Sequence, residues 1–163
     1  MTAIRNHSFD YTSYSSLSSL NPRDRELLNH ALKALPNSYA PYSQFHVAAA
    51  IRLNNGEVIT GTNQENAAYP SGLCAERVAI FAAMHKFPGA VIEDIAITAF
   101  SEAFVVDHPI PPCGACRQVL LEYELRQSDS IRLILRGQEG GAIVIPKASS
   151  LLPLYFHESG LKK

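Results

Sequence analysis

The sequence predicts an α/β domain in which a mixed sheet of five strands lies between layers of helices, a three-layer α-β-α sandwich. Three observations predict this class. Segments with helical periodicity alternate with short apolar runs rich in β-branched residues. The elements come in the order α-β-β-α-β-α-β-β-α, with helices after the second and third strands. The length of 163 residues and the hydrophobic content of 47% are typical of one domain with a sizeable core.

The first predicted helix begins at Asn21, which can cap its free amides, and Pro22 suits its first turn. Pro36 ends the helical pattern. We therefore expect an amphipathic helix between these residues. Its apolar stripe consists of Leu27, Leu28, Ala31, Leu32 and Leu35.

The segment before this helix has a different composition. Residues 1–20 are rich in Ser and Tyr and show no clear period. We expect them to form a poorly ordered or loosely docked extension. The rest of the chain shows no internal repeat and no linker, so residues 21–163 are predicted to form a single domain.

Two antiparallel strands are predicted next, because the segments 45–53 and 57–66 flank Asn54-Asn55-Gly56, a strong hairpin signal. The later elements follow from the same periodicities and from the proline and glycine residues between them. In order, they are a helix at 74–87, a strand at 91–100, a helix at 114–125, strands at 131–137 and 142–148, and a short helix or turn at 149–156.

Charge and hydropathy exclude several classes of function. The formal net charge is −1 and no run of Lys or Arg is present, so a nucleic acid polymer is not an expected partner. No apolar stretch has the length of a transmembrane helix, and we expect no membrane association. The first residues lack the apolar core of a secretory signal, which favours a cytoplasmic protein. In a reducing compartment, an odd count of three cysteines argues against disulfides.

The three cysteines lie at the starts of two predicted helices. Cys74 precedes one helix, and Cys113 and Cys116 form a Cys-x-x-Cys pair at the other. A helix N-terminus favours the thiolate, the form that binds metal. Four interpretations are open: a buried apolar role for Cys74, a thioredoxin-like redox pair, a structural zinc site, and a catalytic zinc site with an open position. None of the six histidines lies at clear ligand spacing from a cysteine.

Glu76 lies two residues after Cys74, in the first turn of the same helix. A glutamate at this position often only compensates the helix dipole. Together with a Pro-Cys-x-x-Cys segment, however, the Cys-x-Glu spacing is the signature of zinc deaminases in their three-cysteine variant. Such a glutamate is not a zinc ligand and transfers protons. The combined spacing therefore favours the catalytic zinc site.

On these residues, the chain resembles the cytidine deaminase family, specifically its small homotetrameric members whose zinc is held by three cysteines. The resemblance runs from about Tyr39 to Phe156 and leaves out residues 1–20 and the longer loop at 101–111. One departure is FHVAAA, where family members commonly have a glycine; it affects strand packing and no chemical role. The motifs that carry the resemblance are SYAPYSQFHVAAA, GTNQENAAYPSGLCAERVAIF, PPCGACRQVL and LLPLYF.

The resemblance implies a cytidine deaminase-like fold and hydrolytic deamination of cytidine and 2′-deoxycytidine to the uridines, with release of ammonia, as in pyrimidine salvage. It implies one Zn²⁺ per chain, held by Cys74, Cys113 and Cys116, which activates a water for attack on C4 of the base. Glu76 would be the proton shuttle. Arg77 would hydrogen-bond the ligand sulfurs, which matters because three thiolates make zinc a poor Lewis acid.

The resemblance also implies a set of substrate contacts. Asn63 and Glu65 match the pair that holds the ribose hydroxyls, and their spacing supports this role, because residues two apart at a strand end point to one face. Without the zinc motif, such residues would more often be polar residues that only mark the end of a strand and the start of a loop. Phe45 matches an aromatic that packs on the nucleoside, although an isolated aromatic is more often a core residue. The backbone of Ala75 matches a group that hydrogen-bonds the base.

Two further positions match residues at subunit contacts. Tyr69 matches a residue near the inter-subunit site, and Phe156 an aromatic that reaches the base bound by a neighbouring subunit. The resemblance therefore implies a homotetramer with shared active sites, in which residues 21–163 form one catalytic zinc deaminase domain. The expected partner is a small nucleoside substrate.

Three other functions remain open from the sequence. A deaminase of a related heterocycle is one, although the ribose pair argues against a free base. A polynucleotide deaminase is another, and the near-neutral charge disfavours it. The third is a zinc-stabilised structural or interaction module without activity, which would have no need of Glu76.

Overall fold

The computed structural model describes residues 2–158 and 161. Single turns of 3₁₀ helix lie at Leu17–Ser19, Leu35–Asn37, Tyr69–Ser71 and Ala148–Leu151, the last of which corresponds to the short helix or turn predicted at 149–156. The strands and α-helices are β1 (Thr12–Tyr14), α1 (Pro22–Ala34), β2 (Phe45–Leu53), β3 (Val58–Thr62), α2 (Ala75–Lys86), β4 (Ile92–Ser101), α3 (Gly114–Glu124), β5 (Arg132–Arg136) and β6 (Ala142–Ile145).

The strands form one mixed sheet in the order β1-β6-β5-β4-β2-β3. β4 and β5 are parallel, and the other neighbouring pairs are antiparallel. The predicted α/β class and mixed sheet are confirmed, but the predicted number of strands is wrong, because the described residues form six strands and not five. The β2–β3 hairpin turns at Gly56, whose φ of +85° is a conformation that glycine adopts without steric cost.

The additional strand, β1, comes from the segment 1–20, which was expected to be poorly ordered or loosely docked. Tyr14 pairs with Ala142 of β6, and Leu20 is buried against α1. A side chain at residue 141 would collide with the Tyr14 carbonyl, so Gly141 allows β1 to approach the sheet. A strand of three residues is too short to show an alternating pattern, which is why the sequence did not reveal it.

The helices cover both faces of the sheet. Asn21 caps α1 by accepting a hydrogen bond from the Asp24 amide over 2.8 Å, as predicted. The alternation of side chains along β2 then separates two cores. Ala48 and Ala50 pack on the side of α1, whereas Ala49 and Ile51 pack on the side of α2 and α3. This arrangement confirms the three-layer sandwich. No helix of the described residues has the length and apolarity needed to cross a membrane.

The sheet topology brings two helix N-termini to one edge. β3 and β4 are both antiparallel to β2, so their carboxyl ends lie at the same edge of the sheet. α2 is the next α-helix after β3, and α3 is the next after β4. Gly61 allows α2 to lie close to β3, because a side chain there would meet the backbone of Ala75 and Ala79. The start of each helix therefore lies at the edge where the chain leaves its strand.

Candidate active site

The three cysteines converge at these helix starts. Cys74 is the N-cap of α2, Cys113 is the N-cap of α3, and Cys116 lies in the first turn of α3. Their sulfur atoms all lie within 4.8 Å of one another, and the sulfurs of Cys74 and Cys113 are 3.8 Å apart. Neither N-cap side chain bonds the amides of its own helix. The predicted ligand set is therefore assembled with its sulfurs directed at one another.

The electrostatics of the cluster favour a thiolate. A hydrogen bond with the Cys116 side chain makes the largest contribution and lowers the pKa of the Cys74 thiol. Burial raises this pKa, but Arg77 and Cys113 lower it further, so that the pKa of Cys74 lies at about 5. The same hydrogen bond raises the pKa of Cys116. Arg77 Nη2 lies 3.7 Å from the Cys74 sulfur, in donor geometry. Clustered cysteine sulfurs at two helix N-termini, with a guanidinium beside them, are the donor chemistry that zinc prefers.

Glu76 lies beside this cluster on α2. Its side chain is only 5% exposed, yet it lines a cavity that Cys74 and Cys113 also line. Burial raises the pKa of the Glu76 carboxyl, and the nearby Cys74 charge raises it further. A buried carboxyl group that faces a cavity can accept a proton from one group there and donate it to another. The arrangement can therefore perform acid–base chemistry next to a metal.

The cavity has a volume of about 660 Å³, within the range of small-molecule sites. It contains most of the residues for which the sequence implied a role. Ala75 is fully buried and Cys116 is buried, and neither side chain lines the cavity. Phe156 lies outside it and is 73% exposed. The predicted residues on the cavity wall are Phe45, Asn63, Glu65, Tyr69, Cys74, Glu76, Arg77 and Cys113.

The predicted sugar-binding pair is held by backbone groups. Asn63 Oδ1 accepts a hydrogen bond from the Val47 amide over 2.8 Å, and Asn63 Nδ2 donates one to the Phe45 carbonyl over 2.9 Å. Glu65 accepts hydrogen bonds from the turn before β2, at Tyr42 and Ser43. Both side chains are therefore oriented before any substrate binds, and each keeps hydrogen-bonding capacity for a ligand.

Several wall residues were not found from the sequence. Tyr42 and Ser43 belong to the turn before β2, and Ile110 and Pro111 belong to the loop at 101–111 that lies outside the family resemblance. A loop residue that acts through its backbone amide leaves no periodic signal. The only available signal was that Tyr42 and Ser43 lie shortly before Phe45 in the same motif, SYAPYSQFHVAAA.

Comparison with known proteins agrees with this geometry. Residues 21–128 match the family model described as the cytidine and deoxycytidylate deaminase zinc-binding region, and this segment contains all three cysteines. The chain belongs to this deaminase family. The family and the sulfur cluster together confirm zinc as the cofactor, one ion at the three-cysteine site.

Individual deaminases are similar over most of their length. The chain is 44% identical over 100 residues to a cytidine deaminase of Halalkalibacterium halodurans, covering 61% of this chain and 71% of that relative. It is 39% identical over 97 residues to a cytidine deaminase of Mycobacterium tuberculosis, covering 60% and 68%. The crystal structure of a cytidine deaminase from Burkholderia pseudomallei matches with a TM-score of 0.68 at 37% identity, covering 80% of this chain and 97% of that one.

Proposed function

We propose that the protein is a zinc-dependent cytidine deaminase that hydrolyses cytidine and 2′-deoxycytidine to uridine and 2′-deoxyuridine and releases ammonia. One observation carries this proposal: the buried carboxylate of Glu76 and the sulfurs of Cys74 and Cys113 line the same cavity, which is large enough for a nucleoside. The deaminases to which the chain is similar are named for the same reaction.

Glu76 performs the proton transfers of the reaction. Zinc held by the three cysteines supplies the Lewis acidity that makes water a nucleophile near neutral pH. Glu76 accepts a proton from the water that attacks C4 of the base and passes it to N3. It then transfers a second proton to the departing amino group, so that the water oxygen becomes the carbonyl of the product and the nitrogen leaves as ammonia. General acid–base catalysis of this kind contributes about 10²–10⁴-fold to the rate.

Asn63 and Glu65 bind the sugar. After its two backbone contacts, Asn63 retains one N–H donor and one acceptor position, which suits hydroxyl groups. Phe45 lies on the same wall and supplies an apolar surface for the nucleoside. The backbone of Ala75, at the first position of α2, hydrogen-bonds the base.

The cavity favours a nucleoside over a nucleotide. Among the described residues on its wall, Arg77 is the only arginine or lysine. Its guanidinium already donates to the Cys74 sulfur and to the Gly72 carbonyl. A 5′-phosphate therefore lacks a cationic partner, and the cost of desolvating it is not offset.

The proposed assembly is a homotetramer with shared active sites. Phe156 lies outside the cavity of its own chain, where its carbonyl accepts a hydrogen bond from Gln118. Its exposed ring is free to contact a neighbouring subunit. Tyr69, largely exposed at the cavity wall, lies where such a neighbour would approach. We place the enzyme in pyrimidine salvage in the cytoplasm, where reducing conditions keep the three cysteines free for zinc.

The test is an absorbance assay of purified protein with cytidine, 2′-deoxycytidine, cytosine and CMP, with bound zinc quantified on the same sample. We expect turnover of both nucleosides, weak or no turnover of cytosine and CMP, and about one zinc per chain. Zinc binding without turnover of any substrate would contradict the proposal and favour a structural zinc module. Efficient turnover of CMP would contradict the nucleoside preference.

A further inference from the structure

The carboxylate of Glu65 is held by the turn that precedes β2. Ser43 Oγ donates a hydrogen bond to Glu65 Oε1 over 2.5 Å, and the amides of Tyr42 and Ser43 donate to Oε2 over 2.9 and 3.2 Å. An ionised carboxylate offers about four lone-pair positions, and these contacts fill all but one of them. The turn therefore sets the orientation of Glu65 and leaves a single acceptor position for a ligand in the cavity.

The geometry of this turn is itself strained. Gln44, between Ser43 and Phe45, has a φ of +54°, which is unfavourable for a residue with a side chain. Its amide donates to the Ala40 carbonyl over 3.0 Å, and its carbonyl accepts from the Glu102 amide over 3.2 Å. A strained residue persists only where surrounding contacts hold it, and such residues cluster at functional sites.

The Ser43 hydroxyl also connects the two sugar-binding residues through Phe45. It accepts a hydrogen bond from the Phe45 amide over 3.0 Å while it donates to Glu65. The Phe45 carbonyl accepts from Asn63 Nδ2. A chain of hydrogen bonds thus runs from Asn63 through the Phe45 backbone and Ser43 to Glu65, and it lies along one wall of the cavity.

We infer that Ser43 is a positioning residue that determines the selectivity for nucleosides with sugar hydroxyls. Its hydroxyl directs the carboxylate of Glu65 at a hydroxyl of the bound sugar. The inference rests on the proposed function, because it places a nucleoside in this cavity. Ser43 acts through Glu65, so its removal affects recognition of the sugar and leaves the chemistry at Glu76 intact.

The experiment compares zinc-loaded wild type, Ser43→Ala and Ser43→Thr with cytidine and with 2′,3′-dideoxycytidine, which lacks both hydroxyls. In Ser43→Ala we expect the KM for cytidine to rise about tenfold, the factor for one hydrogen bond to a charged group, with kcat nearly unchanged. The KM for dideoxycytidine should change little, so the preference for cytidine over dideoxycytidine falls. In Ser43→Thr, which keeps the hydroxyl, we expect the preference for cytidine to match that of the wild type. Ser130→Ala, at the opposite end of the sheet beside β5, is the matched control.

A double-mutant cycle with Glu65→Gln tests the route of the effect. If Ser43 acts through Glu65, Ser43→Ala adds little to the KM of Glu65→Gln. If Ser43→Ala fails to fold, Ser43→Cys, a weaker donor of similar size, should give an intermediate KM. An unchanged KM, an equal rise for both substrates, or full additivity with Glu65→Gln would overturn the inference. A zinc-loaded wild type that does not deaminate cytidine would instead contradict the proposed function.

Discussion

Arg77 Nη2 lies 3.7 Å from the sulfur of Cys74 and 3.3 Å from the carbonyl oxygen of Gly72, and it donates to both. The guanidinium thus fixes the end of the loop before α2 and places a positive charge at a zinc ligand. This contact helps to lower the pKa of the Cys74 thiol to about 5. A positive charge therefore lies beside the three sulfurs on a side chain outside the cysteine cluster.

Replacing Arg77 should weaken zinc binding. In Arg77→Ala the pKa of Cys74 rises, less thiolate is present at neutral pH, and we expect zinc affinity to fall about 10–100-fold. The loss should shrink as pH rises, because alkali restores the thiolate. Arg77→Gln, which keeps one donor, should be milder. Competition with a chromogenic chelator measures the affinity, with Lys86→Ala at the far end of the same helix as the control. Equal affinity in wild type and Arg77→Ala would show that Arg77 does not influence the metal.

Removing the carboxylate of Glu76 should abolish turnover without removing zinc. Glu76→Gln keeps the size of the side chain but cannot accept a proton, so we expect a loss of at least about 10²-fold in kcat. Zinc content should stay near one per chain, because Glu76 is not a ligand. Glu57→Gln, exposed in the β2–β3 turn, is the control. Loss of zinc together with activity would make Glu76 a structural residue.

Phe156 should affect substrate affinity through a neighbouring subunit. Its ring lies outside the cavity of its own chain, so Phe156→Ala should raise the KM for cytidine only if a second chain supplies the ring. Zinc content should not change. Ile4→Ala removes another highly exposed apolar side chain and is the control. Sedimentation of the active enzyme checks the assembly, and a fully active monomer would contradict the shared site.

Asp94, near the start of β4, should be important for stability. The side chain is 2% exposed and lies 2.5 Å from Arg132, 3.3 Å from Arg23 and 3.5 Å from Arg52. Asp94→Asn leaves these guanidinium groups without their shared anion, and we expect the free energy of unfolding to fall by about 3 kcal/mol.

Urea unfolding at saturating zinc measures the effect of Asp94→Asn. The matched control is Glu93→Gln, which breaks the neighbouring exposed pair with Arg23 and should cost less than about 1 kcal/mol. Equal losses in the two variants would contradict the importance of burial.

Glu65 should contribute stability that depends on pH. Partial burial raises the pKa of Glu65, but hydrogen bonds from Ser43 and the Tyr42 amide lower it by more, so it lies below its ordinary value of 4.5. A group with a lowered folded-state pKa stabilises the fold above its unfolded pKa, and this contribution is lost as pH falls through the folded-state value.

The comparison of wild type with Glu65→Gln measures this contribution. The difference in free energy of unfolding should be constant well above 4.5 and shrink below it. Urea unfolding across this pH range gives the difference. The contribution of zinc binding to the free energy of unfolding is the same in both proteins and cancels in this difference. A difference that grows on acidification would mean that the carboxylate is not stabilised in the folded state.

Helix ends and turns that are set by residues close together in sequence could be predicted from the sequence. Asn21 and Pro22 mark the start of α1, and Gly56 marks the hairpin, because caps and turns are decided within a few residues. The zinc ligands were found for a similar reason. Cys-x-Glu and Cys-x-x-Cys each lie within one helical turn, and together they match the signature of zinc deaminases, so the resemblance implied the three ligands.

Only the tertiary structure decided how these local pieces combine. The sulfurs of Cys74 and Cys113 meet because β3 and β4 both run antiparallel to β2. The β2–β3 pairing is a local hairpin, whereas the β2–β4 pairing joins segments far apart in sequence. Ser43 reaches Glu65 across 22 residues through a strained turn that has no periodic pattern. Side-chain periodicity reports which face of an element is buried, whereas contacts between loops depend on where the sheet places their ends.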